Sequence, residues 1–159
     1  EFLKKQDGIV NVVMFDGEAK RIKRLVEKNI GDSNYKIIPI KDDLSHLFKI
    51  KTAIDNKELI CIHSDRNLEG AKTIATKIFN KKVHLPLGPF AIASKLNIPY
   101  SFVFSIKVSM YEYHFTATKP QISSDPQIIA NEFAEVLSEK LSKHPEQWFN
   151  YFNIFENNK

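Results

Sequence analysis

The sequence predicts an α/β protein whose sheet is mixed but mainly parallel and flanked by helices, with an antiparallel hairpin near the C-terminal half. Three short apolar segments rich in β-branched residues, at 9–15, 35–40 and 59–62, alternate with two stretches of helical periodicity. This alternation is typical of right-handed βαβ units and a parallel sheet. Residues 99–106 and 110–116 then predict two strands joined by a short link, which favours an antiparallel hairpin.

The composition sets limits on domain number and on partners. The 159 residues are 43% apolar and 26% charged, which is enough for one buried core and predicts a single domain over residues 1–159. The net charge of +4 comes largely from dispersed lysines, and no zinc-finger spacing or RNA-binding aromatic motif accompanies them, so we expect no nucleic acid partner. The 59–62 strand is expected to be buried on both faces of the sheet, and the single cysteine, Cys61, is expected to be a small buried residue in it. Since Cys61 has no disulfide partner within the chain, a reducing compartment is expected.

Two helices are predicted between the first three strands. Residues 18–29 combine apolar positions at helical spacing with five basic side chains. This amphipathic helix either covers one face of the sheet or docks on an acidic carrier protein or an anionic membrane. Asp42 and Asp43 can cap the second helix. Its apolar positions, which repeat at three and four, are Leu44, Leu47, Phe48 and Ile54.

The middle of the chain is partly ambiguous. Residues 71–79 fit a helix, but the alternation over 73–78 also fits a strand, and 80–82 resemble a turn. A short helix is predicted from Gly88 to Leu96, because Pro89 suits the first helical position.

The C-terminal third predicts one long helix and an aromatic segment. At the helix start, either Asp125 caps with Pro126 in the first position or Ser124 pairs with Gln127 in a capping box. The helix is expected to end before Pro145. Its predicted buried residues are Ile129, Phe133, Val136, Leu137 and Leu141. The aromatics of residues 144–155 either pack against the domain or form an apolar patch for a partner.

A polar cluster directly after the 59–62 strand is the centre of the predicted site. His63, Asp65 and Arg66 would stand at the carboxyl end of a strand, where open α/β sheets bind ligands. They form either a structural turn, with Asp65 paired to Arg66, or a binding rim in which Arg66 clamps an anionic group and Asp65 orients it. A general-base pair of His63 with Asp65 also fits the spacing. A metal site would need further ligands, which are absent at metal-binding spacing.

Four segments together resemble the bacterial lysophospholipid acyltransferase superfamily, and within it the late acyltransferases of lipid A assembly. They are the strand and turn ending at 63–66, the stretch 79–93 that leads into a Gly-Pro helix, the proline-containing block 96–99, and the closing segment 144–148. The closing segment, His-Pro-Glu-Gln-Trp, is the most specific of them. The likeness extends from about residue 9 to residue 155.

The resemblance implies an O-acyltransferase that moves a fatty acyl chain from a thioester, on acyl carrier protein or coenzyme A, to a hydroxyl of a lipid precursor. It implies peripheral contact with the cytoplasmic face of the bacterial inner membrane. It implies no cofactor. In this family a His paired with an acidic residue five positions on deprotonates the hydroxyl. None of the five His residues here has an acid at that spacing. We therefore expect a fragment of a longer acyltransferase chain that lacks catalytic residues and is inactive alone.

Carried over position by position, Asp65, Gly88 and Pro99 match blocks of the family. His63 and Arg66 complete the set of predicted substrate-binding residues. The role of Arg66 as an anion clamp is our own inference. Arg66 stands where Gln is common in the family, so the acceptor is expected to differ from the usual lipid A sugar.

Other readings of the same residues stay open. Asn80 stands where the family usually has Gly, which leaves the conformation of that loop undetermined. The alternative function is a non-catalytic module that binds an anionic ligand near Arg66 or docks a protein partner through its C-terminal aromatics. A small hydrolase that uses His63 is a further alternative.

Overall fold

The computed structural model confirms the α/β class. The residues that the structure describes are 8–15, 34–41, 43–66, 70–150 and 154–155. They form three helices, a parallel three-stranded sheet and two antiparallel hairpins. The chain divides into two compact units, residues 1–63 and 64–159. The predicted basic helix at 18–29 lies outside the described residues, as do Asp42, Tyr151 and Phe152.

The first unit is built on a parallel sheet of order β2-β1-β3. Strand β1, Val10–Phe15, lies between β2, Tyr35–Ile40, and β3, Leu59–Ile62. Because β1 has a neighbour on both sides, its Val10, Val13 and Met14 are buried. Among the described residues β2 lies at one edge of this sheet, a position that suits its proline, Pro39.

The prediction that the third strand is buried on both faces is wrong. Leu59 is 55% exposed and Cys61 is also exposed. Alternate side chains of a strand point to opposite faces of its sheet, and Leu59 and Cys61 share a face that is open to solvent in the part of the chain that the structure describes. An uninterrupted apolar run therefore marks a strand here without marking a buried one.

Helix α1, Ser45–Asp55, buries other residues than the apolar positions that the sequence predicts for it. Its buried residues are Ile50 and Ala53, while Phe48 is 76% exposed. At the helix start, Asp43 Oδ1 accepts a hydrogen bond from Ser45 N–H at 3.0 Å, which lowers the pKa of the Asp43 carboxyl. Asp43 thus supports the first turn from the position before the N-cap. The N-cap itself is Leu44 and makes no side-chain cap hydrogen bond, so the prediction that Asp43 is the capping residue is wrong.

One buried polar residue links two strands of the first unit. Asn11 is 2% exposed, and its Nδ2 donates to Glu58 Oε2 at 2.7 Å and to Leu59 O at 3.3 Å. Lys36 Nζ donates to the other Glu58 oxygen at 3.0 Å. The Asn11 hydrogen bond and then the Lys36 bond lower the pKa of Glu58. This pairing satisfies a polar group that would be costly to bury alone.

The undecided stretch before residue 87 is a hairpin in the second unit. Strands β4, Thr73–Ile78, and β5, Lys81–Pro86, pair antiparallel through the two-residue turn of Phe79 and Asn80. Both turn residues have positive φ, 52° and 60°, which is the backbone sign of a type I′ turn. Asn tolerates this conformation better than most residues. Asn80 can therefore occupy a position where the family usually has Gly.

The remaining elements lie in the predicted stretches, but their ends differ. They are helix α2, Leu87–Lys95; strands β6, Val103–Lys107, and β7, Tyr113–Ala117; and helix α3, Pro126–Lys143. The two strands of the second hairpin begin four and three residues later than predicted, and Pro89 is the third residue of its helix instead of the first. Strands β6 and β7 pair antiparallel, as predicted, but form their own sheet instead of extending the parallel one. Asp125 Oδ1 accepts from Gln127 N–H at 2.8 Å, so Asp125 is the cap and Pro126 the first helical residue.

Helix α3 carries the core of the second unit. Its buried residues are Ile129, Ala130, Phe133, Ala134, Leu137 and Leu141. They pack with the inward side chains of the β4–β5 hairpin and of α2. Val136, also predicted to be buried, is half-buried. None of the helices formed by the described residues is long and apolar enough to cross a lipid bilayer.

Tyr100 makes the stability of the second unit sensitive to alkali. Its hydroxyl donates to Glu132 Oε2 at 2.6 Å, and desolvation followed by this bond raises the pKa of Tyr100 to about 12. An unfolded tyrosine titrates near pH ~10. The folded state therefore holds its proton more tightly, and the stability that this supplies is lost as pH rises from about 10 to about 12.

We expect Tyr100→Phe to show a smaller loss of unfolding free energy between pH ~9 and ~11 than the unsubstituted protein, measured by urea denaturation. Tyr111→Phe is the matched control, because Tyr111 is 90% exposed. An equal alkaline loss in the Tyr100 variant and the unsubstituted protein would contradict this account.

Candidate functional site

Asp65 is tied to the C-terminal segment by two hydrogen bonds. Trp148 Nε1 donates to Asp65 Oδ2 at 3.1 Å, and Asn150 Nδ2 donates to the Asp65 backbone carbonyl at 3.1 Å. Trp148 also packs against the hydrophobic core of the second unit. Since one edge of its ring is fixed by packing, the indole N–H holds the Asp65 carboxylate in a defined orientation.

The residue before Trp148 fixes the same segment to strand β6. Gln147 Oε1 accepts from Lys107 N–H at 2.7 Å, and Gln147 Nε2 donates to Lys107 O at 2.9 Å. The side-chain amide thus pairs with the strand end as a neighbouring strand would. A short 3₁₀ turn, Pro145–Gln147, directs it there. Within the closing segment 144–148, Gln147 therefore binds the hairpin β6–β7, and Trp148 binds Asp65.

Asp65 remains able to accept a further hydrogen bond. Its Oδ2 is taken by Trp148, and its side chain accepts no other hydrogen bond from the residues that the structure describes. An ionised carboxylate offers about four acceptor positions. Asp65 is half-buried. Its carboxylate therefore keeps acceptor capacity beyond the bond from Trp148.

The other predicted site residues flank Asp65 in sequence or lie further along the chain. His63 is exposed and is the last residue of the first unit. Arg66 is half-buried beside Asp65 in sequence. Gly88 is in the first turn of α2, and a Cβ added there would meet open space. Pro99 is exposed. The hydrogen bonds of Asp65 go to the C-terminal segment and not to Gly88 or Pro99.

A groove lies between hairpin β4–β5 and helix α3. It has a volume of about 630 Å³ and is open to solvent. Lys77 and Lys82, directly opposite each other on the two strands, both line it. So do Phe79 of the turn and Glu135 of α3. The paired lysines place two positive charges on the hairpin side of this groove, and Glu135 adds a negative charge from α3.

Metal chemistry has no evident site in the described ranges. No three His, Cys, Asp or Glu side chains there are close enough to hold a metal ion together. The described residues instead show one positioned carboxylate, Asp65, with Arg66 next to it in sequence.

The comparison with family models places this chain among the acyltransferases. The model that matches is described as the bacterial lipid A biosynthesis acyltransferase family, and it matches residues 2–155. The match covers nearly the whole chain, so the chain belongs to this family, and the resemblance drawn from the four segments is confirmed. Comparison with curated proteins finds no match.

The sequence marked the closing segment but not what its residues do. Gln147 and Trp148 are 40 and 83 positions from their partners Lys107 and Asp65. No local periodicity reports such contacts. The lysines of the groove are missed for another reason, because the residues around Lys77 fit both a helix and a strand. Asn80, a residue type that tolerates positive φ, stands between two alternating segments and is the signal that could have identified the hairpin.

Proposed function

We propose that this chain is the substrate-binding part of an O-acyltransferase that moves a fatty acyl chain from a thioester to a hydroxyl of a lipid precursor. The observation that carries the proposal is the family match over residues 2–155. The Trp148–Asp65 hydrogen bond supports it, because it joins two of the segments on which the resemblance depends. The donor would be acyl carrier protein or acyl-coenzyme A, and the acceptor lipid would be met at the cytoplasmic face of the bacterial inner membrane.

In the proposed reaction the acceptor oxygen attacks the thioester carbonyl carbon. A C–O ester bond forms, the C–S bond breaks, and the thiol leaves with the proton that the hydroxyl gives up. Asp65 would orient the hydroxyl through the carboxylate oxygen that Trp148 does not occupy. Arg66 would clamp an anionic group of the acceptor, as a guanidinium does best. His63, Gly88 and Pro99 would line the remaining rim.

The base that removes the hydroxyl proton is not assigned to this chain. None of its His residues has Asp or Glu five positions on, since those positions are Lys51, Leu68, Pro89, Lys119 and Phe149. We therefore expect the chain alone to release no thiol from an acyl thioester.

The test is thiol release by the complete gene product compared with this chain alone. Acyl carrier protein and coenzyme A thioesters are supplied as donors, each without an acceptor, with a lipid A precursor, and with other lipid precursors that carry a free hydroxyl. Release that requires both the acceptor and the complete gene product supports the proposal. No acceptor-dependent release with either donor would end it.

A second candidate is a module that binds an anionic ligand without catalysis. The specific observation in its favour is the pair of lysines, Lys77 and Lys82, opposed on the wall of the groove. This candidate predicts binding of inorganic phosphate or a phosphorylated sugar that Lys77→Gln weakens, together with no thiol release by the complete gene product.

Gly88→Ala should separate folding from substrate binding. An added methyl group would meet no atom within 4 Å, and Ala is the better helix former. Stability should therefore stay within about 1 kcal/mol of the unsubstituted protein. If substrate lies against this turn, kcat/KM of the complete gene product for acyl transfer should fall about fivefold or more.

Gly8→Ala is the matched control for this change, because a Cβ at Gly8 also meets open space. It should alter neither the unfolding midpoint nor the acyl-transfer rate. Unchanged kcat/KM in the Gly88 variant would remove Gly88 from the site.

A further inference from the structure

The hairpin β6–β7 exposes an unusual share of apolar side chains. Of the large apolar residues that are strongly exposed in the described part of the chain, six lie between positions 103 and 115. They include Tyr111 at 90%, Met110 at 73% and Val103 at 65% exposure. Two of the three, Met110 and Tyr111, lie in the link between the strands, which is therefore an apolar tip. Exposed apolar patches of this kind mark interaction surfaces.

The strand register shows which face of the hairpin is turned outward. Val103 lies opposite Ala117, and Lys107 lies opposite Tyr113, so these four side chains share a face. The other face carries Phe104, whose ring stacks on Phe133 of the core at 6.2 Å. The outward face and the tip are thus not needed for packing of the second unit.

The charged groups of the hairpin suit an anionic surface. Lys107 Nζ lies 5.8 Å from the Tyr113 ring centroid, so a cation stands directly over the exposed aromatic face. Lys119 follows two residues after β7. The single acid of the hairpin, Glu112, is 3.0 Å from the imidazole of His114. Lysines beside exposed tyrosines and a methionine form the combination that binds the interface of an anionic bilayer.

We propose that the tip of hairpin β6–β7, with Met110 and Tyr111, inserts into the interface of an anionic lipid bilayer while Lys107 meets lipid phosphates. The inference rests on the proposed function in one respect, which is that the acceptor is a membrane lipid. Tyr111 has an apolar ring and a polar hydroxyl, which suits the boundary between acyl chains and headgroups. Insertion would hold the enzyme at the surface from which its acceptor is drawn.

The first test is co-sedimentation of the protein with vesicles of phosphatidylethanolamine and phosphatidylglycerol, without any acyl donor. Met110→Ser with Tyr111→Ser should lower the partition coefficient about tenfold or more, because two apolar contacts are lost. Lys107→Gln should weaken binding to these vesicles and reduce its dependence on salt. Phe48→Ser is the matched control, since Phe48 is 76% exposed on α1 and should change binding less than about twofold.

A second test reports insertion directly. Cys61 is the single cysteine of the sequence, so Cys61→Ser gives a background for Tyr111→Cys or Phe48→Cys labelled with an environment-sensitive dye. The dye at position 111 should shift to shorter wavelength when phosphatidylglycerol vesicles are added, and the dye at position 48 should not.

The outcomes separate this inference from the proposed function. Vesicle binding through the tip without thiol release by the complete gene product overturns only the acyltransferase proposal. Vesicle binding that is unchanged in the double variant overturns the inference. So does a dimer, seen by analytical ultracentrifugation, that dissociates in the same variant, because the tip would then cover a second copy of the chain.

Discussion

Replacing Phe133 with alanine is expected to destabilise the second unit by about 3–5 kcal/mol. Phe133 lies on α3, is 8% exposed, and its ring is 5.8 Å from Phe90, 5.4 Å from Phe102 and 6.2 Å from Phe104. The three partners belong to α2, to the segment before β6, and to β6 itself. Truncation would leave a cavity against all of them, and such a cavity costs more than the lost transfer energy alone. Urea denaturation followed by circular dichroism would measure the change.

Phe149→Ala is the control for this prediction, since Phe149 is 68% exposed and should change stability by less than about 0.5 kcal/mol. If Phe133→Ala fails to fold, Phe133→Leu retains most of the volume and should cost about 1–2 kcal/mol. Equal losses for Phe133→Ala and Phe149→Ala would show that the aromatic cluster is not the core of this unit.

Local patterns predicted those parts of the fold that local interactions determine. Strand β1 and the start of α3 at Asp125 follow from β-branched residues and from a cap whose side chain bonds two residues on. The exposure of β3 could not be predicted, because the length and apolar character of a strand do not show which of its faces another element covers. The β4–β5 hairpin was hidden by Phe79, a residue that rarely adopts the positive φ of its turn.

In the candidate site, too, the sequence identifies single segments but not the contacts between distant ones. Asp65 and the closing segment were both marked by the sequence, and the family match confirms the resemblance that they carry. Their hydrogen bond spans 83 positions and depends on Trp148 being packed on the core. Periodicity reports the face of a helix or strand, but it holds no information on which distant side chain an indole N–H will meet.

A double-mutant cycle should show that Trp148 acts through Asp65. Asp65→Ala should lower kcat/KM of the complete gene product by about tenfold to a hundredfold, because the acceptor hydroxyl loses its orienting partner. Trp148→Phe keeps a ring in the core but removes the N–H donor, and a bond to a charged group is worth about 1.5–3 kcal/mol. We expect it to lower kcat/KM about tenfold. The double variant should match Asp65→Ala within about twofold, since the indole then has no carboxylate to hold.

The kinetic split distinguishes positioning from general destabilisation. A loosened core would lower the concentration of folded enzyme and so reduce the apparent kcat for every acceptor concentration, leaving KM for the lipid unchanged. Loss of the Trp148 donor should instead raise KM for the acceptor, because Asp65 would sample several orientations before the hydroxyl binds. Phe149→Ala, next to Trp148 and 68% exposed, should leave both constants unchanged. If the reductions in kcat/KM of the two single variants multiply in the double variant, the indole contributes independently of the carboxylate.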